Sequence, residues 1–155
     1  MEEYLMNKEG PATKQDLERL ERLLGQSLPQ EYRQLLLVAN GAEFKNAYIR
    51  LDNKRGDWIT SYDPWDNVKS QLDTLLKHDN KNNLFVQHQE HLLPIAITSR
   101  GNQIFIGISS VYRDKIFITD QDDNVSEDER TVFPVYQIAD TLTGFLQLLQ
   151  PNPEE

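Results

Sequence analysis

The sequence predicts an α+β domain: a mainly antiparallel sheet of about five to six strands, packed with an N-terminal helical pair, a middle helix and a C-terminal helix. Three observations predict it. Helical periodicity is confined to the first third of the chain, to a segment opening at Asp63 and to the last stretch before Pro151. Alternating strand periodicity is grouped between Leu92 and Asp120. The strands there are joined by tight turns, which favour antiparallel pairing, rather than by crossover helices.

The elements follow in order. Residues 1–12 form a polar lead-in that ends at Gly10-Pro11. Thr13 can cap the first helix, with Asp16 three residues on. Leu17, Leu20 and Leu24 recur at helical spacing, and Gly25 stands where a left-handed stop is wanted. Pro29 suits the first position of the second helix, since its missing N–H costs nothing there. Tyr32, Leu35, Leu36 and Ala39 form the second apolar stripe, and Asn40-Gly41 ends it. Ala47–Leu51 and Asp57–Tyr62 read as a hairpin about the turn residues 52–56. Asp63-Pro64 opens the middle helix, with Asp63 as cap, Pro64 in first position and Trp65, Val68, Leu72, Leu75 and Leu76 as its apolar face. The polar run from His78 to Asn83 ends it. Leu92–Thr98, Gln103–Ser109 and Lys115–Thr119 form a meander, with Pro94 placing the first strand at an edge. Ile104, Ile106 and Ile108 share one face, and Phe105 and Gly107 share the other. Asp120–Arg130 is expected to be an acidic loop, Val132–Tyr136 a short strand broken by Pro134, and Ala139–Leu149 the last helix. That helix has the stripe Leu142, Phe145, Leu146 and Leu149, and 151–155 is a tail.

The chain of 155 residues is expected to form a single domain. A chain of this length buries about 68–70% of its extended surface and needs no covalent staple. It has no cysteine, so disulfides and thiolate metal sites are excluded. The N-terminus opens with Glu2 and Glu3 and has no apolar run, unlike a signal peptide. Apolar runs such as Leu92–Ile97 are too short to span a bilayer. A cytoplasmic protein is therefore expected. The formal net charge is −9, which disfavours direct nucleic-acid or anionic-membrane binding and favours basic partners. Ordinary solubility accounts for the same charge.

Motifs for chemistry are few. His88 and His91 flank Glu90, but the spacing is not the i, i+4 pair of a zincin helix, so a polar loop is expected rather than a metal site. Asp120-x-Asp122-x-Asn124 imitates the start of a calcium loop. Val125 then stands where glycine is needed and Thr131 where the bidentate glutamate is needed. Ser109-Ser110 lacks the glycines of a nucleophile elbow, and no phosphate loop or dinucleotide fingerprint occurs. No cofactor, metal or catalytic residue is assigned. Arg50, Lys54 and Arg55 are too few for a nucleic-acid face. The candidate partner-binding residues are instead Asp120, Asp122, Asp123, Glu127, Asp128 and Glu129, joined by Trp58 and Tyr62. Trp65 is read as core; Trp58 fits either core or an interface anchor.

The order of signals in the first third has a further meaning. Leu20-Glu21 and Leu24-Gly25 are followed by Leu28-Pro29, Tyr32, Leu35-Leu36 and Asn40-Gly41. This resembles the SUKH superfamily, the group related to fungal cell-wall-assembly regulators of the Smi and Knr type. Leu93-Pro94-Ile95-Ala96 with Gly101-Asn102, the strand Ile116–Asp120, and Ile138–Leu149 are similar to later parts of the family pattern. Ala42 and Asp114 stand where the family often has glycine, and Asp63–Asn83 falls outside the pattern.

The resemblance implies a SUKH-like fold in which Glu21, Leu28, Pro29, Tyr32, Asn40 and Gly41 are structural. It implies a non-enzymatic protein-binding module, a monomer or weak homodimer. Many bacterial members look like immunity proteins that neutralise a cognate toxin, frequently a basic nuclease of a polymorphic toxin system. Fungal members imply the alternative, a regulatory scaffold with no toxin partner.

Overall fold

A computed structural model describes residues 1–51, 56–76, 84–120, 122–123, 125–127 and 130–153. In chain order the elements are β1 (Leu5–Met6), α1 (Lys14–Leu24), α2 (Gln30–Val38), β2 (Ala42–Phe44), β3 (Tyr48–Arg50), β4 (Gly56–Trp58), β5 (Ser61–Tyr62) and α3 (Trp65–Leu76). They continue with β6 (Leu84–Val86), β7 (Leu92–Ile97), β8 (Gln103–Gly107), β9 (Ile116–Thr119), β10 (Val125–Glu127), β11 (Arg130–Phe133), β12 (Val135–Ala139) and α4 (Leu142–Leu148). The fold is α+β, with antiparallel ladders and a parallel β6–β11 pairing.

The helical pair forms as its local signals dictate. Thr13 accepts the Asp16 N–H at 3.1 Å, and Asp16 accepts the Thr13 N–H at 3.0 Å, a reciprocal capping box. The Thr13 N–H beside the Asp16 carboxylate holds that group below its usual range. Gly25 ends α1 in the left-handed conformation, φ 73. Leu17, Leu20, Tyr32, Leu35, Leu36 and Ala39 are all buried in the main core. Pro29 is the residue before α2 rather than its first, and its carbonyl accepts the Arg33 N–H.

The order β12-β9-β8-β7 makes the largest sheet. Pro94 lies on its edge strand β7, where a missing N–H breaks no inner ladder. The alternation along β8 sorts side chains to two faces. Ile104 and Ile106 join the helices in the main core, together with Ile116 and Ile118 of β9. Phe105 and Phe117 point the other way and pack with Leu92 into a smaller cluster, bordered by Val86, Tyr112 and Val135. The sheet is thus covered on both faces.

Several expectations are corrected, mostly where a short strand lacks room for periodicity. The lead-in contains β1, which pairs with β2, and buries Leu5 and Ala12. The strand expected over 57–62 splits at Ile59: β4 pairs with β3, whereas β5 pairs with β2. The Trp65 N–H is capped by Asn40 Oδ1 at 2.9 Å, while Asp63 accepts from Gln71 instead. The acidic segment is not simply a loop, because β10 and β11 form an antiparallel hairpin. Pro134 separates two strands of different sheets, β11 and β12. The last helix begins after Thr141, whose hydroxyl accepts the Gly144 N–H; Ala139 belongs to β12. Of the turn expected over 52–56, Gly56 begins β4 instead; residues 52–55 and the helix-ending run at 78–83 lie outside the described residues.

Candidate functional site

The junction between α1 and α2 is built from polar side chains that serve the backbone. Glu21 accepts the Leu28 N–H at 2.8 Å and pairs with Arg33 at 2.7 Å. Arg113, from the turn before β9, donates to the carbonyls of Ser27 (3.1 Å) and Leu28 (3.3 Å) and to that of Ile108 at 2.7 Å. A wide, shallow depression runs over Glu18, Glu21, Arg22 and Gly25. The Glu21 carboxylate there is already committed to the fold.

Tyr32 and Tyr62 are equally structural. Tyr62 is 3% exposed and its hydroxyl donates to the Ala39 carbonyl at 2.7 Å. It is therefore removed from the expected contact surface. Tyr32 is fully buried, and its hydroxyl has no partner among the described residues. Burial pushes both phenols up from their ordinary value.

Trp58 is half-buried. Its ring packs on Tyr48 with centroids 5.3 Å apart, and its Nε1–H donates to Asn152 in the tail. Trp65 packs against the main core, as expected. Beside Trp58 lies Asp57, a fully buried carboxylate. It accepts the N–H groups of Trp58 (2.8 Å) and Arg100 (3.3 Å), and the Asn102 amide at 3.1 Å. The sequence places Asp57 at the start of a strand and gives no sign of its burial; the approach of the distant β7–β8 turn adds the partners Arg100 and Asn102.

These bonds fix the location of Trp58. The β7–β8 turn is held by Asp57, and Gln103 at the start of β8 donates to Thr119 Oγ1 at 2.9 Å. Asp120 follows Thr119 directly. Trp58 and the acidic turn therefore occupy the same end of the meander. In that turn Asp120 accepts the Asp122 N–H with its side chain and the Asp123 N–H with its carbonyl. Asp122 is exposed, and Asp120 and Asp123 are partly exposed. Glu127 lies on β10; Asp128 and Glu129 lie outside the described residues.

A groove of about 320 Å³ opens against this turn. Leu51, Ile118 and Ile138 supply apolar walls, Asp120 and Asp123 supply carboxylates, and Tyr136 lines it while remaining 43% exposed. Sequence reading did not foresee the groove, since its walls come from three separate segments.

The histidines lie at the opposite end. The rings of His88 and His91 both stack on Tyr112, with centroids 4.8 and 5.2 Å away. His91 Nδ1 is 2.7 Å from Ser109 Oγ, and its Nε2 is 3.5 Å from Glu90. Among the described residues no group of three or more His, Asp or Glu side chains could hold a metal ion. His78 lies outside them.

The fold and its surfaces define an α+β protein whose most specific sequence pattern builds a structural junction beside the β8–β9 turn, with the acidic turn at the opposite end of the meander. The model of the SMI1 / KNR4 family (SUKH-1) matches residues 11–148, and the chain belongs to that family. No curated protein matches the chain. Among the described residues, no helix is long and apolar enough to cross a membrane.

Proposed function

We propose that this protein is a non-enzymatic binding module of the immunity type, which binds and neutralises a basic toxin domain, such as a nuclease, in the cytoplasm. The observation that carries the reading is the placement of the Asp120–Asp123 turn beside an apolar, tyrosine-lined groove, on a chain of net charge −9. A nuclease must be positively charged where it holds phosphate, so an acidic blocker matches it. Charge steering raises association rates by roughly 10–10³. That serves a protein that must reach its toxin before the toxin reaches its substrate. The contact surface comprises Asp120, Asp122 and Asp123, the β10–β11 hairpin with Glu127, and the exposed part of Trp58.

The test is co-purification with the product of a neighbouring toxin-like reading frame, followed by a salt titration. Asp122→Lys combined with Asp123→Lys is expected to slow association and flatten its salt dependence. Unchanged association would remove this turn from the interface. The match to the SMI1 / KNR4 family also favours a second reading, a regulatory scaffold with no toxin partner. Protection of a toxin-expressing cell by this chain would decide against it.

A further inference from the structure

The groove beside the acidic turn has a composition that selects one kind of occupant. Its volume, about 320 Å³, lies at the small end of ligand pockets, about 300–1,000 Å³. That is room for one long side chain and its hydration, and too little for a helix. Its walls are apolar at Leu51, Ile118 and Ile138, and its carboxylates, Asp120 and Asp123, lie together in one turn. No cationic side chain lines it among the described residues. Asp123 has no side-chain partner among them, and Tyr136 is 43% exposed. An aliphatic occupant would leave the Asp123 carboxylate without a partner among the described residues, and an anion would be repelled. A guanidinium on a three-methylene stem meets all three features. Its stem covers apolar surface, its plane lies against the tyrosine face, and its N–H groups reach carboxylate oxygens.

We propose that this groove is the seat for an arginine side chain presented by the protein partner. The inference rests on the binding function above and names the chemistry of its anchor. Arginine is also among the residues that carry most binding energy when seated in a pocket.

The test has two arms. In the first, acetyl-Gly-Arg-Gly-amide is titrated into the full isotope-labelled chain and followed by NMR. Saturable shifts are expected at Leu51, Asp123 and Tyr136, with citrulline in place of arginine binding about two- to fivefold more weakly. Asp123→Asn should reduce affinity by a similar factor, and Ile138→Trp, which fills the groove, should abolish the response while the chain stays folded. Non-saturating shifts spread over the surface, or equal binding of the citrulline peptide, would overturn the proposal. In the second arm, Asp123→Asn and Ile138→Trp are measured against the neighbouring toxin domain, with losses of about tenfold or more expected for the filled groove. If the toxin domain binds wild type and both variants equally, the groove assignment fails and the immunity reading stands. If the peptide occupies the groove but the toxin domain does not bind wild type, the immunity reading fails instead.

Discussion

The Glu21 carboxylate accepts the Leu28 N–H at 2.8 Å with one oxygen and holds Arg33 at 2.7 Å with the other. One side chain thus ties α1 to the junction residue Leu28, seven residues on, and to α2 at Arg33, twelve residues on. The pair is part-buried, so its loss leaves a backbone donor and a guanidinium without their acceptor. Glu21→Ala is expected to cost about 1–3 kcal/mol, whereas Glu21→Gln keeps an acceptor and should cost about 1 kcal/mol or less. Urea midpoints of the two variants check the order; equal losses would mean that the acceptor is not what matters.

Asp57 is the second polar brace. It is fully buried and gathers donors from Trp58, Arg100 and Asn102. Asp57→Ala leaves those neutral donors without their acceptor and should destabilise the chain by about 2–3 kcal/mol. Asn102→Ala removes one of the three and should cost about 1–2 kcal/mol. Thermal unfolding of both variants supplies the comparison. A larger loss for Asn102→Ala would contradict the central place given to the carboxylate.

The end of β8 and the turn before β9 make two opposite backbone demands. A Cβ on Gly107 would lie 1.7 Å from the Tyr112 carbonyl oxygen, a backbone atom that cannot swing aside. Gly107→Ala should therefore cost about 3 kcal/mol or more, or prevent folding. Asp114 has φ 73, a conformation that glycine adopts without strain. Asp114→Gly should raise stability by about 0.5–1 kcal/mol, part of the left-handed strain being offset by a more flexible unfolded chain. Denaturant melts distinguish the two signs.

Tyr32 carries a buried hydroxyl with no partner among the described residues. Tyr32→Phe should stabilise the fold by about 1 kcal/mol and leave partner binding unchanged. The same phenol has an alkaline consequence. Burial raises its pKa, and that of Tyr62, above the ordinary 10.0. Above pH 10 the unfolded chain loses these protons while the folded chain keeps them. Their contribution is therefore complete below pH 10 and declines as pH rises, by up to about 1.4 kcal/mol per pH unit per tyrosine. A stability series over that range should be shallower for Tyr32→Phe; an unchanged slope would sink the assignment.

The parts of this fold legible in the sequence are those whose signals are local. Thr13 with Asp16, Gly25, and the stripe through Tyr32, Leu35 and Leu36 state two helices within one short stretch. The alternation around Ile104, Phe105 and Ile106 states the meander and both of its faces. The strands β1, β2, β5 and β6 are two or three residues long, too short to show a period, and are set by partners far along the chain. The same reason hid the burial of Tyr62 and Asp57, because a tyrosine or aspartate looks alike in a turn and in a core. The acidic residues of the candidate surface were legible as charges. Their groove was not, since Leu51 and Tyr136 meet it from opposite halves of the chain.

Asn40 ends one part of the chain and begins another. It follows α2, and its side-chain oxygen accepts the first N–H of α3. The middle helix in turn buries Val68 and Leu72 in the main core. One amide at the end of α2 therefore sets where a helix begins twenty-five residues on. A change at Asn40 is, as a consequence, felt in two helices at once, although it alters no apolar contact.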